Sequence, residues 1–340
     1  MRTIMQFDQS VLTHTERRIF ALRTLYSRAG YTSYRMRKFE DYDLYSRNKD
    51  FLLSDRVITF TDTNGKLKAL KPDVTLSIVR NIDDRPDEVA RLFYDENVYR
   101  VSERTNSFRE IMQMGLECIG DAGNPCAAEV IDLAEKSLAL VAEKNEYVLR
   151  ISDTDILTMI IDGMTDSKYV KSDLLGLVSG KNMHEIERLC AANDIPEEKY
   201  SPLIELMKLY GEPHKVMPEL EKICRGTEAE EEIEEFREVL SGLYTGDERD
   251  SGRHIVMDFS IIGDNNYYNG MAFEGYIDGI PECVLVGGRY DRLMRRMKKK
   301  SRAIGFAVYL DTLAMLGRNA GDQAIESFFG SYRYTDDDEN

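Results

Sequence analysis

The sequence predicts an α+β fold in which one sheet is interrupted by a helical domain. Three observations predict it. Alternating, β-rich segments fill the chain to about residue 154. A stretch rich in Leu, Glu, Lys and Met with helical periodicity runs from about 155 to 250. Alternating segments then return between about 253 and 317. Strands on both sides of a helical insert belong to one sheet. The expected divisions are a core of 1–154 with 251–317, a helical insertion over 155–250, and a tail over 318–340. The tail's acidic end, TDDDEN, has too little apolar surface to fold and is expected to be disordered.

The elements follow in order. Val11, Ile19, Leu22 and Tyr26 fall at near-helical spacing, with Gly30 as the stop. In VITFTDTNGKLKALKPD, Asn64-Gly65 between two β-rich runs predicts a hairpin, and Pro72 ends its second strand before a short helix. RLFYDENVYRV and SFREIMQMGLECIG alternate as two further strands. Residues 126–144 carry helical periodicity, and EYVLRIS alternates again. Gly211-Glu212-Pro213 marks a turn inside the helical stretch. HIVMDFS, YYNGMAFEGYI and ECVLVGG return to strands, followed by a helix at RYDRLMRRMK, a strand at AIGFAV and a last helix at LDTLAML.

Composition narrows the function. The 340 residues are 42% hydrophobic and 31% charged, an ordinary globular balance. No apolar run reaches the roughly 18 residues that span a bilayer, and MRTIMQFDQS has no apolar signal core, so a cytoplasmic protein without membrane contact is expected. The five cysteines form no CxxC pair and the four histidines stand far apart, so no metal site, disulfide framework or cofactor is expected. A net charge of −16 disfavours nucleic acid, whose phosphates need clustered cations. Two charged runs stand out: seven glutamates between 228 and 238, and eight Arg and Lys between 289 and 302. Each is either a solvated helix face or a docking surface.

The most informative segment is Phe108 to Ile119. One strand face would carry Met112, Met114, Leu116 and Cys118, and the other Arg109, Gln113, Gly115 and Glu117. Gly115 would leave a gap where a small ligand could lie between an amide and a carboxylate, the latter suited to an ammonium or an imidazole. A solvated strand face is the plainer reading. Asp73, in KPDVT, is either a helix N-cap or a ligand group, with Thr75 beside it. Tyr268, Gly270, Ala272, Glu274 and Tyr276 would share one face of the YYNGMAFEGY strand, and the glycines of GGRYD read as steric rather than phosphate-binding.

The order of these segments, GKLKALKPDVT, NVYRVSERTNSFREIMQMGLECIG, NNYYNGMAFEGYI, GGRYDRL and AIGFAVYLDTL, resembles the catalytic domain of histidyl-tRNA synthetase. The resemblance implies a class II synthetase-like antiparallel sheet flanked by helices. It also implies a histidine site at Asp73, Thr75, Arg100, Gln113, Glu117, Tyr267 and Tyr268. Lys71-Pro72-Asp73-Val74-Thr75 stands where the family has Arg-Pro-Glu-x-Thr, and Arg100 at the first arginine of motif 2. Two departures bear on activity. The arginine four residues before the Tyr-Tyr motif is Gly263 here, and the motif 3 arginine of Gly-Leu-Glu-Arg-Leu is Thr312 in Tyr309-Leu310-Asp311-Thr312-Leu313. Adenylate formation depends on positioned cations to offset developing charge, so its loss is expected. With only a short stretch after motif 3, an anticodon-binding domain is not expected.

That combination is similar to the regulatory subunits of ATP phosphoribosyltransferase, paralogues of the synthetase. It implies a non-catalytic regulatory subunit for the first step of histidine biosynthesis, self-associating as a dimer. The implied partner is the short-form catalytic subunit, with histidine as effector. The alternative is a divergent aminoacyl-adenylate ligase.

Overall fold

The computed structural model describes residues 11–52, 56–102, 105–243, 254–262 and 267–316. Helix α1 (His14–Arg28) opens on a reciprocal cap: the Glu16 amide donates to Thr13 Oγ1 at 3.2 Å, and the Thr13 amide to the Glu16 carboxylate at 2.8 Å. It starts after Val11, which is exposed and outside the apolar face the spacing gave it. Gly30, at φ +85°, turns the chain out of the helix.

Two short strands, β1 (Thr32–Ser33) and β2 (Phe39–Asp41), and helix α2 (Tyr42–Ser46) follow. The expected hairpin is β3 (Thr59–Thr61) and β4 (Leu67–Leu70), with Gly65 at φ +76° and the Asp62 carboxylate accepting the Asn64 and Lys66 amides. It joins β2 in a small sheet ordered β2-β4-β3. Helix α3 (Val74–Asn81) begins after Pro72, as predicted.

Strands β5 (Val89–Val101) and β6 (Phe108–Gly120) form a long antiparallel ribbon. Helix α4 (Asn124–Ala142) and strand β7 (Tyr147–Asp153) come next. Then come α5 (Thr154–Met164), α6 (Lys168–Ser179), α7 (Met183–Ala192), α8 (Glu197–Lys208), β8 (Tyr210–Gly211), α9 (Pro213–Cys224) and α10 (Glu230–Leu243). The two-residue β8 interrupts the helices just where a turn was expected. The chain closes with β9 (Ile255–Asp258), β10 (Met271–Ile277), β11 (Leu285–Arg289), α11 (Asp291–Arg296) and β12 (Arg302–Tyr309). The helix expected at LDTLAML is only a 3₁₀ turn over Thr312–Met315.

The main sheet runs β1-β5-β6-β12-β11-β10-β7-β9-β8. Every neighbour pair is antiparallel except β1 with β5 and β7 with β9. Parallel neighbours need a long crossover. Helices α5 to α10 occupy that crossover between β7 and β9, and their apolar sides share one buried cluster with α1, α4 and the inner face of the sheet. A second cluster, built on Tyr45, Leu76, Tyr94, Tyr267, Tyr290 and Leu293, covers α3 and α11.

The two charged runs meet each other. Glu235 of α10 pairs with Arg302 at 2.9 Å and Arg289 at 3.6 Å, and Asp155 pairs with Arg292 at 2.8 Å. Three of the eight cations therefore tie α10 and α5 to β11, α11 and β12 rather than forming a solvated face.

Lys71 is fully buried, its ammonium 2.9 Å from Glu96, whose other oxygen accepts the Met36 amide at 3.1 Å. Removing one partner of a buried pair strands the other, at a cost of about 3–5 kcal/mol. Lys71→Met is expected to lower unfolding stability by about 3 kcal/mol, read by urea denaturation; an unchanged midpoint would mean that the pair is inert.

Candidate functional site

Strand alternation divides β6 as the sequence predicts. Met114, Leu116 and Cys118 lie fully buried on one side, while Gln113 and Glu117 stand on the other, both also buried. Arg109 is exposed near the outer end of the strand, away from them. Strand register carries this second face across the sheet. Glu117, Gly305, Gly288 and Ala272 form one row, and Gly115, Ala307, Val286 and Glu274 the next.

A cavity of about 220 Å³ opens on this face. Asp73, Thr75, Arg100, Gln113, Glu117, Tyr267 and Tyr268 all line it. Four different parts of the chain thus converge on one space suited to a small metabolite, below the roughly 300–1,000 Å³ of a drug-sized pocket.

The gap is not over Gly115. A Cβ there would meet the Phe306 carbonyl and the Tyr94 hydroxyl, the latter at 2.6 Å, so a tyrosine from β5 fills the space the sequence left open. The room lies one strand over, along Ala307 of β12, with Gly305 also at its edge. A Cβ on Gly305 would run into the Glu117 carboxylate. Gly288 is covered by the Tyr268 ring, 2.6 Å from where a Cβ would stand, and Gly287 by Phe273 and Phe306. The GGRYD glycines are steric, as expected, and lie within β11. Tyr268 and Gly270 also precede β10 instead of belonging to it, and Gly270 sits at φ +63°. The face expected to run from Tyr268 to Tyr276 is therefore broken: Tyr268 and Glu274 line the cavity and Ala272 does not.

Glu117 is the centre of the polar arrangement. One of its oxygens accepts the Thr75 hydroxyl and the other the Tyr290 hydroxyl, each at 2.6 Å. Burial pushes its carboxyl up to about 8, Asp73's charge adds to that, and the two hydroxyls oppose it. Tyr267 lies beside Thr75 and packs edge-on against Tyr268, with ring centroids 4.9 Å apart. Asp73 does both things considered for it. Its Oδ1 caps α3 by accepting the Leu76 amide at 2.7 Å, and the side chain lines the cavity. Burial raises its carboxyl, against the Leu76 amide and the Arg100 charge.

Arg100 Nε donates to the Pro72 carbonyl at 3.0 Å, and its guanidinium stands beside the Tyr309 hydroxyl. On the far wall, Glu274 is held by Arg150 at 2.8 Å and by the Tyr276 hydroxyl at 2.6 Å. The cavity thus offers carboxyl groups facing one guanidinium across apolar and aromatic walls. That distribution suits a small zwitterion bearing a second basic group.

Tyr94, Glu274, Tyr290, Ala307 and Tyr309 also line the cavity, and the sequence did not point to them as site residues. The period-2 spacing of Gly305, Ala307 and Tyr309 was a usable signal; Tyr94 carried none, because nothing local says that it reaches across to Gly115. Of the two lost arginines, position 263 lies outside the described residues, and Thr312 is half-buried in the 3₁₀ turn.

The chain is similar to several characterised proteins. An ATP phosphoribosyltransferase regulatory subunit from Oceanobacillus iheyensis is 27% identical over 298 residues, covering 87% of this chain and 72% of the relative. The crystal structure of an ATP phosphoribosyltransferase regulatory subunit/histidyl-tRNA synthetase from Bacillus halodurans superposes with a TM-score of 0.74 at 21% identity, covering 93% of this chain and 83% of the other. A chain of the ATP phosphoribosyl transferase (HisG:HisZ) complex from Thermotoga maritima superposes at 0.66 and 18% identity, covering 88% and 98%. The fold is therefore that of the class II synthetases, as the motif order implied. The family model for histidyl-tRNA synthetase matches residues 8–313, nearly the whole of the core and its helical segment, and the chain belongs to the histidyl-tRNA synthetase family.

Proposed function

We propose that this chain is a non-catalytic, cytoplasmic regulatory subunit of ATP phosphoribosyltransferase that binds histidine in the cavity over β12. On this reading it self-associates as a dimer, joins short-form catalytic subunits in a larger assembly, and conveys feedback by histidine. The observation that carries the reading is the convergence of Asp73, Thr75, Arg100, Gln113, Glu117, Tyr267 and Tyr268 on one cavity around a buried carboxyl group. The relatives' names and the HisG:HisZ neighbour supply the partner. Histidine matches the chemistry: a carboxylate for Arg100, and an ammonium and imidazole for the acids and hydroxyls. Thr312 in place of a cation removes a group that phosphoryl chemistry needs, and Gly263 removes a second.

The deciding experiment adds the purified chain to a short-form catalytic subunit encoded in the same genome. The expected result is a stable complex with raised phosphoribosyltransferase activity, inhibited by histidine. Separate elution with no change in rate would overturn the reading. A parallel assay of histidine-dependent ATP–pyrophosphate exchange is expected to stay at the level of a no-histidine control; robust exchange would establish the ligase instead.

A further inference from the structure

The fold divides the eight cations of residues 289–302 into two sets. Arg289, Arg292 and Arg302 are engaged by Glu235, Asp155 and Asp291, and Lys299 Nζ by the Ile82 carbonyl. Arg295, Arg296, Lys298 and Lys300 are exposed and form no ion pair among the described residues. They sit within six residues, at the end of α11 and on the turn that follows it.

That turn is held from both sides. Lys298 adopts φ +61°, the left-handed conformation that closes a helix, and its amide and that of Lys299 return to the Arg295 and Met294 carbonyls, each at 2.9 Å. From outside, Asp84 accepts the Lys300 amide at 2.8 Å, the Ser301 amide at 3.1 Å and the Ser301 hydroxyl at 2.7 Å. These three bonds hold the Asp84 carboxylate, which keeps its charge, against the turn, where one negative charge offsets only part of the four positive ones; the neighbouring Asp83 pairs with Arg85 at 3.5 Å. The helix dipole accounts for Arg295 and Arg296 at a C-terminus, but not for two further lysines beyond it.

We propose that this turn docks an acidic surface of a protein partner, which, resting on the functional reading above, is the catalytic subunit. On a molecule of net charge −16, four unpaired cations on one turn form a local attractive point. Such a point raises the encounter rate and fixes orientation. Because the turn is already anchored, docking orders side chains and not backbone, which lowers the entropic cost. A nucleic acid fits less well: it would need many phosphate contacts, and the rest of the surface repels it.

The test compares three proteins in complex formation with the short-form catalytic subunit, followed by surface plasmon resonance across a salt series. They are the wild type, a variant with Arg295→Glu and Arg296→Glu, and a control with Lys199→Glu and Lys208→Glu. The control makes the same charge change at two exposed positions of α8. The expected result is at least a roughly tenfold weaker complex for the α11 variant at low salt, mostly through a slower association rate, with the gap closing as salt screens it and the control close to wild type. Equal weakening in both variants would reduce the effect to net charge and overturn the site. Full-strength binding by the α11 variant would overturn it as well, while leaving the functional reading intact. A wild type that does not bind the catalytic subunit at all would remove that reading and this inference with it. A short DNA duplex that binds the wild type and not the α11 variant would reassign the turn to a polyanion. Equal thermal midpoints of the three proteins exclude misfolding.

Discussion

Glu117→Ala is expected to weaken histidine binding about ten- to a hundredfold. A carboxylate hydrogen-bonded to a ligand cation in a partly dry site contributes about 1.5–3 kcal/mol, and about 1.4 kcal/mol is tenfold in affinity. The pH profile of the wild type says which end of histidine Glu117 meets. In the empty cavity, burial keeps a proton on Glu117 up to about pH 8. Free imidazole loses its proton near pH 6.5. If Glu117 pairs with the imidazole, the proton moves within the pair, none is exchanged with solvent between those two values, and affinity is flat there. If it pairs with the ammonium, which is already charged, Glu117 must release its proton. Affinity then rises by up to tenfold per pH unit towards 8. Calorimetry in two buffers of different ionisation enthalpy counts the proton directly. Histidine affinity unchanged in Glu117→Ala would remove Glu117 from the site.

The same proton affects stability. A carboxyl whose pKa is raised on folding binds more protons in the folded than in the unfolded state, from the ordinary carboxylate range up to the folded value. Stability therefore falls as pH rises across that window. Glu117 contributes in this sense, and so does Asp153 at the N-terminus of α5, which burial, reinforced by Glu232, lifts to about 8. A saturating cationic ligand returns part of the Glu117 contribution and none of the Asp153 contribution.

Elements specified by local chemistry were legible in the sequence. Asn64-Gly65 made its hairpin, Pro72 ended β4, and alternation in β6 separated Met114, Leu116 and Cys118 from Gln113 and Glu117. The seven cavity residues were legible by a different route, the order of motifs, because no local rule brings Asp73 to Tyr267. What the sequence could not supply was set by register. Whether the space above Gly115 is open depends on Tyr94, directly across from it on β5, and on how far its ring leans over the strand. The fate of the basic run depended on α10 docking where Glu235 reaches Arg289 and Arg302, a contact made across more than fifty residues of intervening chain. Val11 fitted the helical period but lies before the Thr13 cap, and capping geometry overrode periodicity.

That register makes two substitutions of neighbouring small residues behave in opposite ways. Gly115 and Ala307 face each other across β6 and β12 in one row. Ala307 lines the cavity, whose space is about 220 Å³, so Ala307→Leu adds its atoms at the wall of that space. The side chain of Ala307 is only half-buried and belongs to neither apolar cluster, so the core on the other face of the sheet is unaffected. Histidine binding should be lost to beyond about a hundredfold, as expected when a ligand's volume is already occupied, while the unfolding midpoint stays close to wild type. Gly115→Val places its first added carbon against the Phe306 carbonyl and the Tyr94 ring, and a backbone oxygen cannot swing away as a side-chain end can. Overpacking of this kind costs about 1–3 kcal/mol or more, so Gly115→Val should unfold early, with any loss of binding following from the loss of structure. Urea denaturation and histidine calorimetry on both variants decide the matter. A well-folded Gly115→Val that has lost histidine binding, beside an Ala307→Leu that retains it, would move the ligand from β12 back to β6.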